Sequence, residues 1–140
     1  GRDEMIKYSI WLREVQTRGE WQEDYAAQRR HPVKQFTVVM DMDGLSSKNM
    51  SPALLSVGQE VSRIVQDSYP GYAKRVIFIR SPAIFRFAWN TFKPFIDENM
   101  KDKIVFLSGK DYCQELSEFM DPSVLPHEVC PNIGRGEAID

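Results

Sequence analysis

Three short stretches of the chain are apolar on both sides of an extended backbone: Phe36-Thr37-Val38-Val39-Met40, Val76-Ile77-Phe78-Ile79 and Ile104-Val105-Phe106-Leu107. Runs rich in β-branched and aromatic residues, without polar and apolar positions alternating, predict strands buried on both faces. The first runs into Asp41-Met42-Asp43-Gly44 and the third into Ser108-Gly109, and both endings are turn-forming. Between the strands, Ser51-Pro52 opens a helix reaching about Ser68, the Ser as cap and the Pro in the first turn. Tyr69-Pro70-Gly71-Tyr72 breaks it, and Ser81-Pro82 starts another helix after the second strand. Upstream, Asp3 caps a first helix with Met5, Tyr8, Leu12 and Val15 along one face, and residues 21–30 predict a further helix that Pro32 stops. Downstream, a last short helix runs from Asp111 to about Phe119. Strand, helix, strand, helix, strand is the pattern of a parallel sheet joined by right-handed crossovers, so the fold class is α/β. Three strands make a narrow sheet, and the expectation is that residues 1–140 are one lobe excerpted from a longer domain.

The helix after Ser81-Pro82 carries more apolar surface than a sheet can cover. On a wheel of 100° per residue, Ala83 to Ile96 places Ile84, Phe85, Phe87, Ala88, Trp89, Phe92, Phe95 and Ile96 on an arc of about 200°. A helix resting on one core needs little more than half of that arc. Arg86, Asn90 and Lys93 make the remaining face cationic, which suits a helix at the boundary of lipid headgroups.

Charge sharpens this picture. The net charge is −2, which gives no support to nucleic-acid binding. It is distributed unevenly, however: residues 1–71 net −1, residues 72–110 net +5 and residues 111–140 net −6. The basic block contains the apolar helix, so an anionic membrane surface is a partner the sequence favours. Only two cysteines occur, Cys113 and Cys130, without the spacing of a zinc site, and they are expected to be reduced and intracellular. The sequence calls for no cofactor and no metal, and neither a signal peptide nor a membrane span is expected. Tyr112, Trp11 and Trp21 are expected as core anchors.

In order and spacing, Val38-Val39-Met40-Asp41-Met42-Asp43-Gly44, Tyr69-Pro70, Ile79-Arg80-Ser81-Pro82-Ala83-Ile84-Phe85, Phe92-Lys93-Pro94-Phe95-Ile96-Asp97 and Lys103-Ile104-Val105-Phe106-Leu107-Ser108-Gly109 together resemble the CRAL-TRIO lipid-binding domain, over residues 1 to about 128. The resemblance implies a largely parallel sheet as the floor of an apolar pocket, covering helices, and a gate helix that opens at a membrane, in a lobe lacking the family's amino-terminal helical part. It implies binding and intermembrane transfer of one hydrophobic lipid, a phospholipid, phosphoinositide or isoprenoid, with no catalysis, by a cytoplasmic protein peripheral to membranes. The residues it assigns to lipid are Phe36, Val38, Met40, Phe78, Phe85, Phe92, Phe95, Met100, Lys103 and Val105. Where phosphatidylinositol-binding members have an acidic residue after Tyr-Pro, this chain has Gly71, while their basic partner is matched by Lys103. Phe36 and Val38 stand where choline-lipid binders carry hydroxyls. Lys74 and Arg75 are further candidates for a headgroup phosphate.

Two rival classes remain. Asp41-Met42-Asp43-Gly44 after an apolar strand also matches the start of haloacid-dehalogenase phosphatases, in which the first Asp attacks phosphate beside magnesium. The preferred role for the two aspartates is instead to shape the turn and the entry to the helix. The other rival is an interaction domain that carries no lipid. For the gate helix, the expectation is an open or loosely held element, hinged near Phe92 and Met100 around Pro94, with a tendency to self-associate.

Overall fold

The computed structural model describes residues 1–17, 27, 35–48, 50–121 and 124–131. The predicted helix over 21–30, with Trp21, lies almost wholly outside the described residues. The elements in chain order are α1 (Arg2–Thr17), β1 (Phe36–Asp41), α2 (Pro52–Ser68), β2 (Ala73–Ile79), α3 (Ala83–Phe92), a 3-10 turn (Lys93–Phe95), α4 (Glu98–Lys101), β3 (Ile104–Leu107) and α5 (Tyr112–Ser117). The three strands form one sheet in the order β1-β2-β3, parallel throughout, so the α/β expectation holds.

Register divides the sheet into two faces. Val38 pairs with Val76 and Met40 with Phe78, and across the next interface Val76 pairs with Ile104 and Phe78 with Phe106. These residues share one face, because partners in a parallel ladder point the same way and neighbours along a strand alternate. The opposite face carries Val39, Ile77, Ile79, Val105 and Leu107. There the core closes. Ile77, Ile79, Leu107, Leu116 and Cys130 are buried together, with Val39, Val105, Tyr112, Cys113, Phe119, Leu125 and Val129 packed around them. The covering layer is α5 and the segment 124–131, fastened by a Cys113–Cys130 disulfide and by a 2.7 Å hydrogen bond from the Tyr112 hydroxyl to the Val129 carbonyl. The expectation of two reduced cysteines is therefore corrected. The fold brings the two Cα atoms to 5.6 Å, within bridging range, across a separation of 17 residues that spacing alone does not reveal.

On the other face, Phe85 and Trp89 of α3 lie over Phe78 and Phe106. Phe92 of the same helix rests against Gly58 of α2, which puts both crossover helices on this side, as the right-handed rule requires. α2 begins as expected, with the Ser51 hydroxyl accepting from the Leu54 amide and Pro52 in the first turn. α1 packs on α2. Its inward side follows the predicted stripe only in part: Leu12 and Val15 are half-buried, together with Ile6, Ile10 and Arg13, while Met5 and Tyr8 are exposed. Trp11 is exposed too, its ring tilted against Tyr8 rather than anchored in the core, because Arg13 and Glu14 hold α1 down through Tyr72 and Tyr69 instead.

Candidate functional site

A compact set of rings joins α3 to the sheet. Phe78 stacks on Phe106 at 5.2 Å between centroids, Phe85 lies 5.1 Å from Phe78, and Trp89 meets Phe106 edge-on at 5.2 Å. Offset and edge-to-face rings at such distances attract beyond simple burial, by about 0.5–1.5 kcal/mol per pair. The helix therefore lies down on the sheet and is not the open element expected. Only half of its apolar arc is used: Ala88 is buried, while Phe87 on the far side is 76% exposed.

The helix is also shorter than the wheel assumed. It ends at Phe92, the chain tightens into a 3-10 turn over Lys93–Phe95, and Ile96 is extended before α4 begins. Pro94 supplies the reason, having no N–H to continue the ladder, while Lys93 itself keeps helical angles, at φ −47° and ψ −40°. Phe95 and Ile96 thus leave the common wheel, and Phe95 stands 62% exposed. The apolar arc survives the correction because its limits, the exposed Phe87 and the docked Trp89, both lie inside α3.

Beside the turn is a cleft of about 600 Å³, lined by Arg63, Gln66 and Asp67 of α2, by Tyr69-Pro70-Gly71, and by Pro94 to Asp97, Asn99, Met100 and Lys103. Its walls are tied together: Gln66 accepts from the Asp97 amide at 2.6 Å, and Asp97 caps α4 through a 2.9 Å bond from the Asn99 amide. Hydrogen bonding to Glu14 raises the Tyr69 hydroxyl above its ordinary value, so that rim group stays neutral. The cleft opens at the amino-terminal ends of β2 and β3, where Gly71, at φ 74°, makes the turn and Lys103 leads into the strand.

The ten residues assigned to lipid fall into three groups. Val38, Met40 and Phe78 share the sheet face under α3, Phe36 begins the same edge strand beside a register shift, and Phe85 and Phe92 descend onto that side from the helix. Phe95, Met100 and Lys103 line the cleft. Val105 is a correction: it pairs with Ile77 and packs into the opposite core under α5. Its neighbour Phe106 occupies the face assigned to Val105, one residue out of phase. Arg75 leaves the headgroup set for the same reason, since its guanidinium lies over the Phe119 ring at 4.6 Å on the far side. Lys74 is exposed.

Sequence reasoning missed Arg80. It ends β2 in the left-handed region, at φ 52°, and its guanidinium reaches both aspartates after β1: Nε lies 2.9 Å from Asp41 Oδ1, Nη2 bonds Asp41 Oδ2, and Nη1 is 3.3 Å from Asp43. Asp41 also accepts from the Asp43 amide at 3.0 Å, the turn role expected of it. Hydrogen bonding to Arg80 holds the Asp41 carboxyl below its usual value, and the same bond raises Arg80. Among the described residues no group of three or more His, Cys, Asp or Glu is placed to hold a metal.

The sequence pattern of the CRAL/TRIO domain matches residues 2–129. The chain belongs to the CRAL/TRIO domain family. The phosphatidylinositol/phosphatidylcholine transfer protein SFH12 of Arabidopsis thaliana is 33% identical over 100 residues, taking in 71% of this chain and 18% of its own length. Protein real-time of Aedes aegypti is 28% identical over 108 residues, 77% of this chain and 16% of its own. In three dimensions the crystal structure of Sfh5 superposes on 76% of the chain and 35% of its own length, with a TM-score of 0.62 at 23% identity. That likeness shows a CRAL/TRIO fold. The chain spans less than a fifth of the length of these two curated relatives.

Proposed function

We propose that this CRAL/TRIO lobe binds one hydrophobic lipid and passes it between membranes, with the sheet face of Val38, Met40 and Phe78 as floor and α3 as gate. The observation that carries the reading is the division of α3 into a half docked on Phe78 and Phe106 and a half, led by Phe87, turned to solvent. A helix with two apolar sides has a partner in each of two states, closed over an acyl chain or laid into a bilayer. Each methylene moved from water into the pocket contributes about 0.8 kcal/mol, sufficient to extract a long chain without chemistry. The cleft at Lys103 is the place for a headgroup, and an ammonium there favours phosphate. Arg86 and Lys93 supply the cationic face toward anionic membranes. Met40, 41% exposed, leaves the edge of the floor open to a lipid chain.

The family implies lipid binding and transfer, and SFH12 is by its name a phosphatidylinositol/phosphatidylcholine transfer protein. No helix of the described residues is long and apolar enough to cross a membrane. The lobe works as a peripheral protein on the cytoplasmic side, where the Cys113–Cys130 bond is under reductive pressure. Native mass spectrometry of the chain after incubation with mixed vesicles tests the reading. A stoichiometric lipid adduct is the expected outcome. A chain that stays empty and moves no fluorescent lipid between vesicles overturns it in favour of an interaction domain, and magnesium-dependent phosphatase activity lost in Asp41→Asn overturns it in favour of an enzyme.

A further inference from the structure

The link between β2 and α3 consists of Arg80, Ser81 and Pro82. Two of the three are stiff. Pro82 has φ fixed by its ring, at −68°, and restricts Ser81 before it. The remaining soft joint is Arg80, which occupies the left-handed region at φ 52° without the freedom of a glycine. A residue held there needs its surroundings to over-determine it. They do so, since the side chain of this joint residue is bonded to Asp41 and Asp43 at the end of the neighbouring strand.

Beyond the Arg80 amide, which donates to the Leu107 carbonyl of β3 at 3.2 Å, the start of α3 offers little other fastening. Pro82 caps it with no side-chain hydrogen bond, the first turn has no acidic residue, and the buried Ser81 hydroxyl meets no partner. Arg86 donates to the Ser108 hydroxyl after β3, which ties the body of the helix but not its joint. The angle at which α3 leaves the sheet is thus set where Arg80 grips β1.

We infer that Arg80 is a positioning residue for the gate, an ion-pair latch with Asp41 and Asp43 that holds α3 down on Phe78 and Phe106 and must yield when the helix lifts. The latch itself follows from the geometry of the joint. Its consequence for lipid release rests on the lipid-transfer reading. Because the pair sits at the surface, with side chains about a third exposed, an approaching anionic headgroup can compete with the carboxylates for the guanidinium.

The test separates latch from scaffold. Arg80→Asn keeps a residue that tolerates the left-handed region and removes the cation, and Asp41→Asn removes the charge from the other side. In both variants of the full chain, amide hydrogen exchange over residues 83–92 is expected to rise at least tenfold while the strand amides of 76–79 and 104–107 keep their protection. Arg80→Lys, which keeps charge but not the two-pronged grip, should fall between and serves if either of the others does not fold. Unchanged protection of α3, or loss spread equally over strands and helix, overturns the latch. Release of bound lipid in the same variants is read separately: faster release with an unlocked α3 extends the latch to transfer, and an unlocked α3 in a chain that never binds lipid leaves the latch standing and removes the transfer reading instead.

Discussion

The ring of Phe92 at the end of α3 lies 3.2 Å from where a side-chain carbon on Gly58 would stand. A glycine inside α2 costs that helix about 1 kcal/mol relative to alanine, so the contact is what the glycine is there to permit. It couples the two crossover helices at the point where the gate ends and the 3-10 turn begins.

Gly58→Ala is accordingly expected to leave stability nearly unchanged, the gain in helix propensity offset by a ring that must move a few tenths of an ångström. Gly58→Leu pushes Phe92 aside and should cost about 1–3 kcal/mol in chemical denaturation. The Trp89 fluorescence of the Leu variant should shift as α3 is levered from Phe106. A Leu variant as stable as the parent would show that Phe92 does not rest on α2 in solution.

The two faces of β1 give a sharper contrast. Val39 packs into the core under α5, whereas Val38 belongs to the face of Phe78. Val39→Thr should cost about 1–2 kcal/mol by burying a hydroxyl and leave lipid retention intact in the folded fraction. Val38→Asp should abolish retention with the near-native circular dichroism kept. Equal loss of lipid from both would mean that the floor was assigned to the wrong face.

What the sequence made legible, and what it hid, follows from this alternation. The strands could be read because Val76 to Ile79 and Ile104 to Leu107 are apolar at every position, and that same uniformity concealed their phase. Nothing in Ile104-Val105-Phe106-Leu107 says which pair faces the helix, so Val105 was assigned to the side that Phe106 occupies. The α3 wheel identified the surplus apolar arc but ran through Pro94, although the missing N–H there could have ended it at Phe92. The disulfide and the Arg80 grip lay beyond reach for another reason. Each joins residues 17 or 39 positions apart whose proximity exists only once the sheet is assembled.

That disulfide sets a third expectation. Closing a loop of this length removes disorder from the unfolded chain worth about 3 kcal/mol, and here it also fastens 124–131 over Ile77 and Leu107. Reduction with dithiothreitol, or Cys113→Ser, should lower the unfolding free energy from urea denaturation by that amount, and the midpoint with it, while the aromatic cluster on the other face persists. An unchanged midpoint would show that the bond does not form or does not matter.

Acid provides a check on the Asp41–Arg80 pair. The folded carboxyl titrates below its reference value of 3.8 because the Arg80 hydrogen bonds favour its charged form. Protons then bind the unfolded chain more readily than the folded one, so the contribution to stability is present above 3.8 and is lost as pH falls through the folded value. The difference in stability between the parent and Asp41→Asn should be largest near neutrality, below about 1 kcal/mol for so exposed a pair, shrink in high salt, and vanish in strong acid. A difference that grows on acidification would contradict the pairing.

On the proposed reading, Lys103 selects the headgroup that the cleft takes. It stands at the entrance to β3 across from Tyr69-Pro70-Gly71, and Asp67 and Asp97 on the same walls keep the cleft from being a simple cationic trap. With Gly71 in place of a side chain there is room beside the ammonium, and a phosphate ester placed there would accept from Lys103 while its chain runs toward Met100 and Phe95. A neutral lipid gains nothing from the cation. Lys103→Ala should therefore lower phosphoinositide transfer about tenfold, the worth of one charge-assisted hydrogen bond of about 1.4 kcal/mol, and leave transfer of a neutral lipid within a factor of two or so. Lys103→Arg should restore most of the loss. If the ratio of the two transfer rates stays as it was, Lys103 is only a solvated lysine at a strand end, and headgroup selection has to be sought elsewhere along the cleft.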